Sequence, residues 1–131
     1  MKNSGVAARR ILVVEDEPVI SRVCVQSLTG EGLEVDVAVN GSVAEGMLWN
    51  RDYDLILIDI RTPVMNGKQL YQSITEKHPE LVRGVIFTTG DVMGSDTENF
   101  LKQSGRLFLL KPFAPNELVA VVRDALRRLE R

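Results

Sequence analysis

Three short runs, Ile11–Val14, Leu55–Ile58 and Leu107–Leu110, are apolar at every position. A strand with one face in water alternates polar and apolar residues. A strand that is apolar throughout has both faces covered, as in a parallel sheet with helices packed on either side. Val35–Val39 and Gly84–Thr88 complete a set of five candidate strands, and Val35–Val39, which keeps the polar Asp36, is assigned to an edge. Between the runs the spacing becomes helical. Pro18 opens a segment whose Val19, Ile20, Val23, Cys24, Ser27 and Leu28 share a face, and Gly30 stops it. Gly41–Asn50, Gly67–Lys77 and Asp91–Gln103 read as helices with less regular faces. Pro115 opens the last helix; Leu118, Val119, Val122, Leu126 and Leu129 form its stripe, and Arg127, Arg128 and Arg131 suit the negative end of its dipole. Strand then helix, five times over, implies an α/β, doubly wound five-stranded parallel sheet with right-handed crossovers. Ligands in such folds bind outside the carboxyl ends of the strands.

The chain's 131 residues suffice for one domain. Residues 1–8 (MKNSGVAA), small or polar, read as a flexible tail before a domain at 9–131, and the length leaves no room for a DNA-binding domain. Sixteen Lys and Arg against 18 Asp and Glu give a net charge of −2, which offers no bulk attraction to nucleic acid or to an anionic membrane. One cysteine and one histidine allow neither an internal disulfide nor a Cys/His metal cluster. No apolar run approaches the ~20 residues of a membrane helix. These features lead to the expectation of a cytoplasmic protein with no membrane segment and no direct contact with nucleic acid.

The residues that follow the strands carry the chemistry. Glu15-Asp16-Glu17 follows the first, Asp59 the third, Thr88-Thr89-Gly90 the fourth and Lys111-Pro112 the fifth. Each has an ordinary explanation alone: a helix cap, a turn, a strand end, a solvated lysine. Together they place acids, a hydroxyl and a lysine at the sheet end where this fold binds ligands. Carboxylates around Glu15, Asp16 and Asp59 repel one another, and a hard divalent cation, magnesium first, relieves that repulsion. A cation that keeps several waters can recruit a phosphoryl group, and a carboxylate beside it can attack phosphorus to form an aspartyl phosphate. Asp59, ending a fully apolar strand, is the best nucleophile. Thr89 and Lys111 would bind the remaining phosphoryl oxygens.

The acidic pair Glu15-Asp16, the run Asp59-Ile60-Arg61-Thr62-Pro63-Val64-Met65-Asn66-Gly67, the pair Thr89-Gly90, and Phe108-Leu109-Leu110-Lys111-Pro112-Phe113 resemble the receiver domains of two-component response regulators. The resemblance covers about residues 9 to 130. It implies a flavodoxin-like sheet with strand order 2-1-3-4-5, Asp59 as phosphoacceptor, and a Mg2+ site made by Glu15, Asp16, Asp59 and the main-chain carbonyl of Arg61. Thr89 matches the hydroxyl that senses the phosphoryl group, Lys111 the cation and Phe108 the aromatic switch, and the bond before Pro112 is cis in this family. The implied partners are a histidine kinase or phosphotransfer protein upstream and a protein partner or attached output domain downstream. The domain would be a monomer or a phosphorylation-dependent dimer, with an output surface on the fourth helix, fifth strand and fifth helix. It would take part in its own phosphorylation and dephosphorylation rather than turn over a separate substrate. Thr62 stands where the family most often has Met, and Asn66 where it often has Asp. Arg61 and Asp91, two positions past Asp59 and Thr89, carry opposite charges and are expected to pair across the mouth and tune the phosphoryl lifetime. The stretch Thr89 to Arg106 also looks like receivers at the end of hybrid sensor kinases.

Rival readings meet specific obstacles. An aspartate-nucleophile phosphatase of the haloacid dehalogenase type needs an acid where Arg61 stands, and a flavin-binding module needs a hydroxyl-rich loop where Glu15-Asp16-Glu17 would repel phosphate. A degenerate receiver used only for docking would not need the acid, threonine and lysine set. Gly90–Ser95 lacks the Lys-Ser/Thr of a nucleotide-binding loop, so ATP is not the expected donor. His78 reads as a solvated loop residue, Cys24 as core, and Trp49 and Tyr53 as packing.

Overall fold

The computed structural model describes residues 8–91 and 95–130. Of the expected tail only Ala8 falls among these, and Arg131 and residues 92–94 lie outside them. The elements in chain order are β1 (Arg10–Val14), α1 (Pro18–Thr29), β2 (Glu34–Ala38), α2 (Gly41–Asn50), β3 (Leu55–Asp59), α3 (Gly67–Lys77), a 3₁₀ turn (Pro79–Gly84), β4 (Val85–Thr89), α4 (Ser95–Ser104), β5 (Leu107–Leu110) and α5 (Pro115–Leu129). The strands form one parallel sheet in the order β2-β1-β3-β4-β5. Because successive side chains leave a strand on opposite faces, the sheet sorts its residues into two cores. Leu12, Val14, Ile56, Ile58, Val85 and Phe87 pack under α2, α3 and α4, with Leu70 and Ile74 from α3. Ile11, Val13, Leu55, Leu57 and Ile86 pack under α1 and α5, with Cys24, Leu28, Leu118 and Val122. Tyr71, Phe87 and Phe100 join α3, β4 and α4 edge to face, with ring centroids 5.1 to 5.8 Å apart.

β1 and β3 are buried on both faces, as their composition predicts, but β5 is not. It is the second edge of the sheet, and its exposure alternates: Phe108 and Leu110 are 46% and 47% exposed while Leu107 and Leu109 turn inward. Among the described residues no strand pairs with its outer side, so four apolar residues do not make it a central strand. Smaller differences also have causes. β2 starts one residue earlier than its apolar run because Glu34 donates its main-chain N–H to Arg9 O. Gly84 belongs to the 3₁₀ turn rather than to β4, and that turn is too short to show a periodicity. The fourth helix runs Ser95–Ser104 instead of starting at Asp91. Val19, expected on the inner face of α1, is exposed. His78 is buried rather than solvated, because exposed Trp49, at the end of α2, covers it edge-on at 4.4 Å. Cys24 and Tyr53 are buried as expected.

The polar residue of β2 has a structural role. Tyr53 Oη donates to Asp36 Oδ2 at 2.6 Å and Arg51 pairs with the same oxygen at 3.1 Å. The Tyr53 hydroxyl, followed by Arg51, holds the Asp36 carboxyl below its ordinary 3.8. A depressed folded-state pKa means stability that is present above the unfolded value and lost as pH falls through the folded one. Tyr53→Phe is therefore expected to lower unfolding free energy by about 1.5–3 kcal/mol at pH 7, as for other hydrogen bonds to charged groups. In urea titrations repeated across pH, the gap to wild type should close below about pH 4.

Candidate functional site

β1, β3 and β5 are each extended by one further backbone bond at the carboxyl end, and these bonds fix the backbone at Glu15, Asp59 and Lys111. Glu15 N–H donates to Ala38 O (3.0 Å), Ile60 N–H to Thr88 O (3.0 Å) and Lys111 N–H to Thr89 O (2.8 Å). Glu15, Asp59 and Lys111 thereby converge. The Lys111 ammonium lies 2.7 Å from Glu15 Oε1, 2.8 Å from Asp59 Oδ2 and 3.5 Å from Glu17 Oε1. Glu15 and Asp59 are 3% and 5% exposed, so their charges are set by one another and by the lysine more than by water. Burial raises the Glu15 carboxyl above its ordinary value, with Lys111 and the Glu17 N–H opposing the shift. Burial works against the Lys111 charge, but its hydrogen bonds to Asp59 and Glu15 prevail and its pKa rises. The ammonium is permanent in the neutral range.

Beside this cluster opens a cleft of about 250 Å³ lined by Asp16, Glu17, Asp59, Arg61, Gly90 and Lys111. Carboxylate oxygens of Glu15, Glu17 and Asp59 lie within 4.8 Å of one another, close enough to share one cation. Here the structure differs from the sequence expectation. Glu17, not Asp16, is the third carboxylate of the tight group; Asp16 is exposed and borders the cleft. The chain bends at Asp16, and the Glu17 N–H donates to Glu15 Oε2 at 3.0 Å, a local fold that the expected acidic pair passes over. Three carboxylates against one ammonium leave negative charge in excess, and an all-oxygen donor set of this charge fits a hard divalent ion such as Mg2+.

Asp59 is held at both oxygens: Oδ2 by Lys111, and Oδ1 by the Arg61 N–H at 3.1 Å. The loop that carries it is pinned at two glycines. Gly67 donates to Ile60 O at 2.9 Å, and a Cβ there would meet Asp59 O at 2.8 Å and Ile60 Cα at 2.6 Å. Gly41 donates to Met65 O at 3.1 Å, and a Cβ there would lie 2.1 Å from that oxygen. The two departures from the family pattern fit this loop. Buried Thr62 donates its hydroxyl to Met65 O (3.0 Å), and Asn66 caps α3 reciprocally with Gln69, both bonds 2.9 Å. Between them Val64 adopts φ +67° with its side chain 81% exposed, a conformation costly for a β-branched residue.

Thr89 is buried at the end of β4, and its hydroxyl donates to Asp91 O (3.1 Å) and accepts from Asp91 N–H (3.2 Å). Arg61 and Asp91 pair at 3.4 Å with both side chains largely in water. Phe108 stands apart from the cleft on β5, where it lines a groove with Glu98, Leu101 and Lys102 of α4. The Lys111–Pro112 bond is cis.

The family model described as response regulator receiver domain matches residues 11–123. This chain belongs to that family. It is 37% identical over 120 residues to the transcriptional regulatory protein PcoR of Escherichia coli, an alignment covering 92% of this chain and 52% of PcoR, so the chain spans about half the length of that relative. A CheY-like response regulator receiver domain protein from Methanospirillum hungatei superposes with a TM-score of 0.84 at 25% identity, over 95% of this chain and 98% of the other. The signal receiver domain of a signal transduction histidine kinase from Syntrophus aciditrophicus also gives 0.84, at 27% identity over 95% and 94%. The receiver's sheet order, 2-1-3-4-5, is the one observed here. No helix among the described residues is long and apolar enough to cross a membrane.

Two outcomes are expected of this receiver's Asp59 loop. Gly67→Ala should lower unfolding free energy by about 1–3 kcal/mol, the range for overpacking, because Ile60 Cα and Asp59 O are main-chain atoms that cannot step aside. Val64→Gly should raise it by up to about 1 kcal/mol, since relief of the left-handed strain exceeds the added chain entropy. Chemical denaturation of the two variants beside wild type checks both.

Proposed function

We propose that this receiver is a phosphorylation switch in which Asp59 accepts a phosphoryl group from the phosphohistidine of a kinase or phosphotransfer protein. The observation that carries the proposal is the buried Glu15–Lys111–Asp59 arrangement at the mouth of the cleft. In the transfer an Asp59 carboxylate oxygen forms a bond to phosphorus, the donor's N–P bond breaks, and the electron pair stays with the imidazole. Lys111, already beside Asp59, neutralises charge on the incoming phosphoryl oxygens. Mg2+, held by Glu15 and Asp59 with Asp16, Glu17 and the Arg61 carbonyl bordering the same cleft, would supply further charge neutralisation. The Thr89 hydroxyl would leave Asp91 for a phosphoryl oxygen, and the change would pass along β4 and β5 to Phe108.

The half-exposed Phe108 and Leu110 on the edge strand suit an output surface at α4, β5 and α5. PcoR is a transcriptional regulatory protein about twice this span, which supports an output domain on the same protein as one downstream route beside the hybrid-kinase alternative. The domain would act as a phosphoacceptor without turning over a separate substrate, in the cytoplasm.

Intact mass after incubation with Mg2+ and acetyl phosphate tests the reading. Wild type should gain one metal-dependent phosphoryl group and Asp59→Asn none. If neither gains one, the chain serves for docking alone. The Arg61–Asp91 pair, exposed and worth under about 1 kcal/mol, should slow hydrolysis by shielding the mouth. Arg61→Ala is then expected to shorten the phosphoryl half-life about 2–5-fold, the rate equivalent of such a pair; an unchanged half-life would sink that role.

A further inference from the structure

A second charged cavity, opposite in sign to the first, lies at the other end of the sheet. It measures about 220 Å³ and is lined by Arg83, Arg106 and Arg128 with Val85, Leu107 and Ala125. Arg83 comes from the 3₁₀ turn, Arg106 immediately precedes β5, and Arg128 is in the last turn of α5. The amino ends of the paired strands β4 and β5 bring them together. Among the described residues no Asp or Glu lines the cavity.

The three guanidiniums are not equivalent. Arg83 donates to the carbonyls of Arg128 (3.1 Å) and Leu129 (3.5 Å), closing the carboxyl end of α5. Arg128 pairs with Asp124, one turn earlier in α5, at 3.3 Å. Arg106 is partly buried and donates only to carbonyls, Ser104 O (3.3 Å) and Val82 O (3.4 Å); no ion pair involves it among the described residues. Carbonyl acceptors satisfy its donors without cancelling its charge. Arg106 thus keeps its charge on the cavity wall, in a chain whose net charge is −2, and an anion in that volume would meet it beside the guanidiniums of Arg83 and Arg128. The planar fork of arginine matches the paired oxygens of an oxyanion. Val85, Leu107 and Ala125 supply an apolar part to the lining.

Size narrows the ligand. A cavity of about 150 Å³ holds benzene, whereas sites for drug-sized ligands start near 300 Å³. A phosphate group with a small organic remainder fits between them. We propose that the cavity framed by Arg83, Arg106 and Arg128 binds a small phosphate monoester, with Arg106 as its principal ligand. The site is independent of the Asp59 chemistry.

Amide-resolved NMR titration with ethyl phosphate, at constant ionic strength against chloride, tests the proposal. The amides of Gly105, Arg106 and Leu107 should shift saturably, in wild type and in Asp59→Asn alike. Arg106→Gln should weaken binding at least about tenfold, the equivalent of one lost charge-assisted hydrogen bond, and Arg106→Lys should weaken it less. Should Arg106→Gln fail to fold, Arg128→Gln, at a side chain 53% exposed, is expected to weaken binding several-fold in a folded protein. Shifts confined to Gly90 and Lys111 in the acidic cleft would overturn the proposal, as would shifts reproduced by chloride. Inorganic phosphate binding as tightly as ethyl phosphate would overturn the monoester assignment, and a response to duplex DNA alone would reject a small ligand altogether.

Discussion

A single ammonium group sits among three carboxylates at the carboxyl end of this sheet, and the arrangement of the whole domain converges on keeping it there. Lys111 can reach Glu15 and Asp59 only because β1, β3 and β5 run parallel and end at one level, with β4 between β3 and β5 passing its last backbone bond to Lys111 itself. The two cores above and below the sheet hold that level. The cluster left to itself carries surplus negative charge behind little solvent, so it is a place of stored electrostatic repulsion rather than a stabilising ion pair. Such a site is ready to take up positive charge and a phosphoryl group, because both reduce a cost the folded chain already bears.

The loop from Asp59 to Gly67 shows how local rules yield to the site. Two glycines grip it from α2 and α3, an asparagine caps the helix that follows, and a buried threonine ties its turn. Within this well-determined frame a valine is held in a left-handed conformation facing water. The surrounding bonds fix the backbone there, and the side chain accepts the strain.

Much of this was legible in the sequence. Five apolar runs named the strands, and the acids, threonine and lysine stood directly after them, so the fold rule for strand ends was enough to bring Glu15, Asp59 and Lys111 together and to put Thr89 at the end of the neighbouring strand. What escaped depended on neighbours remote in the chain. Leu107–Leu110 reads as central because an edge is defined by the absence of a further strand, which no local composition records. Glu17 reads as a cap residue until its side chain is seen to return beside Glu15. His78 reads as solvated because the tryptophan that covers it comes from another helix. Arg83, Arg106 and Arg128 lie more than twenty residues apart, and a cavity among them exists only after β4, β5 and α5 have packed.

The chain has one tryptophan, Trp49, at the carboxyl end of α2 and in edge contact with buried His78. Since α2 starts beside the Asp59 loop at Gly41 and runs back along the sheet, its indole lies at the end of the domain away from the acidic cleft. The intrinsic fluorescence of this protein is therefore a local reporter for the junction of α2 and α3. A change in its emission on phosphorylation would measure how far the rearrangement travels through the α2–α3 layer.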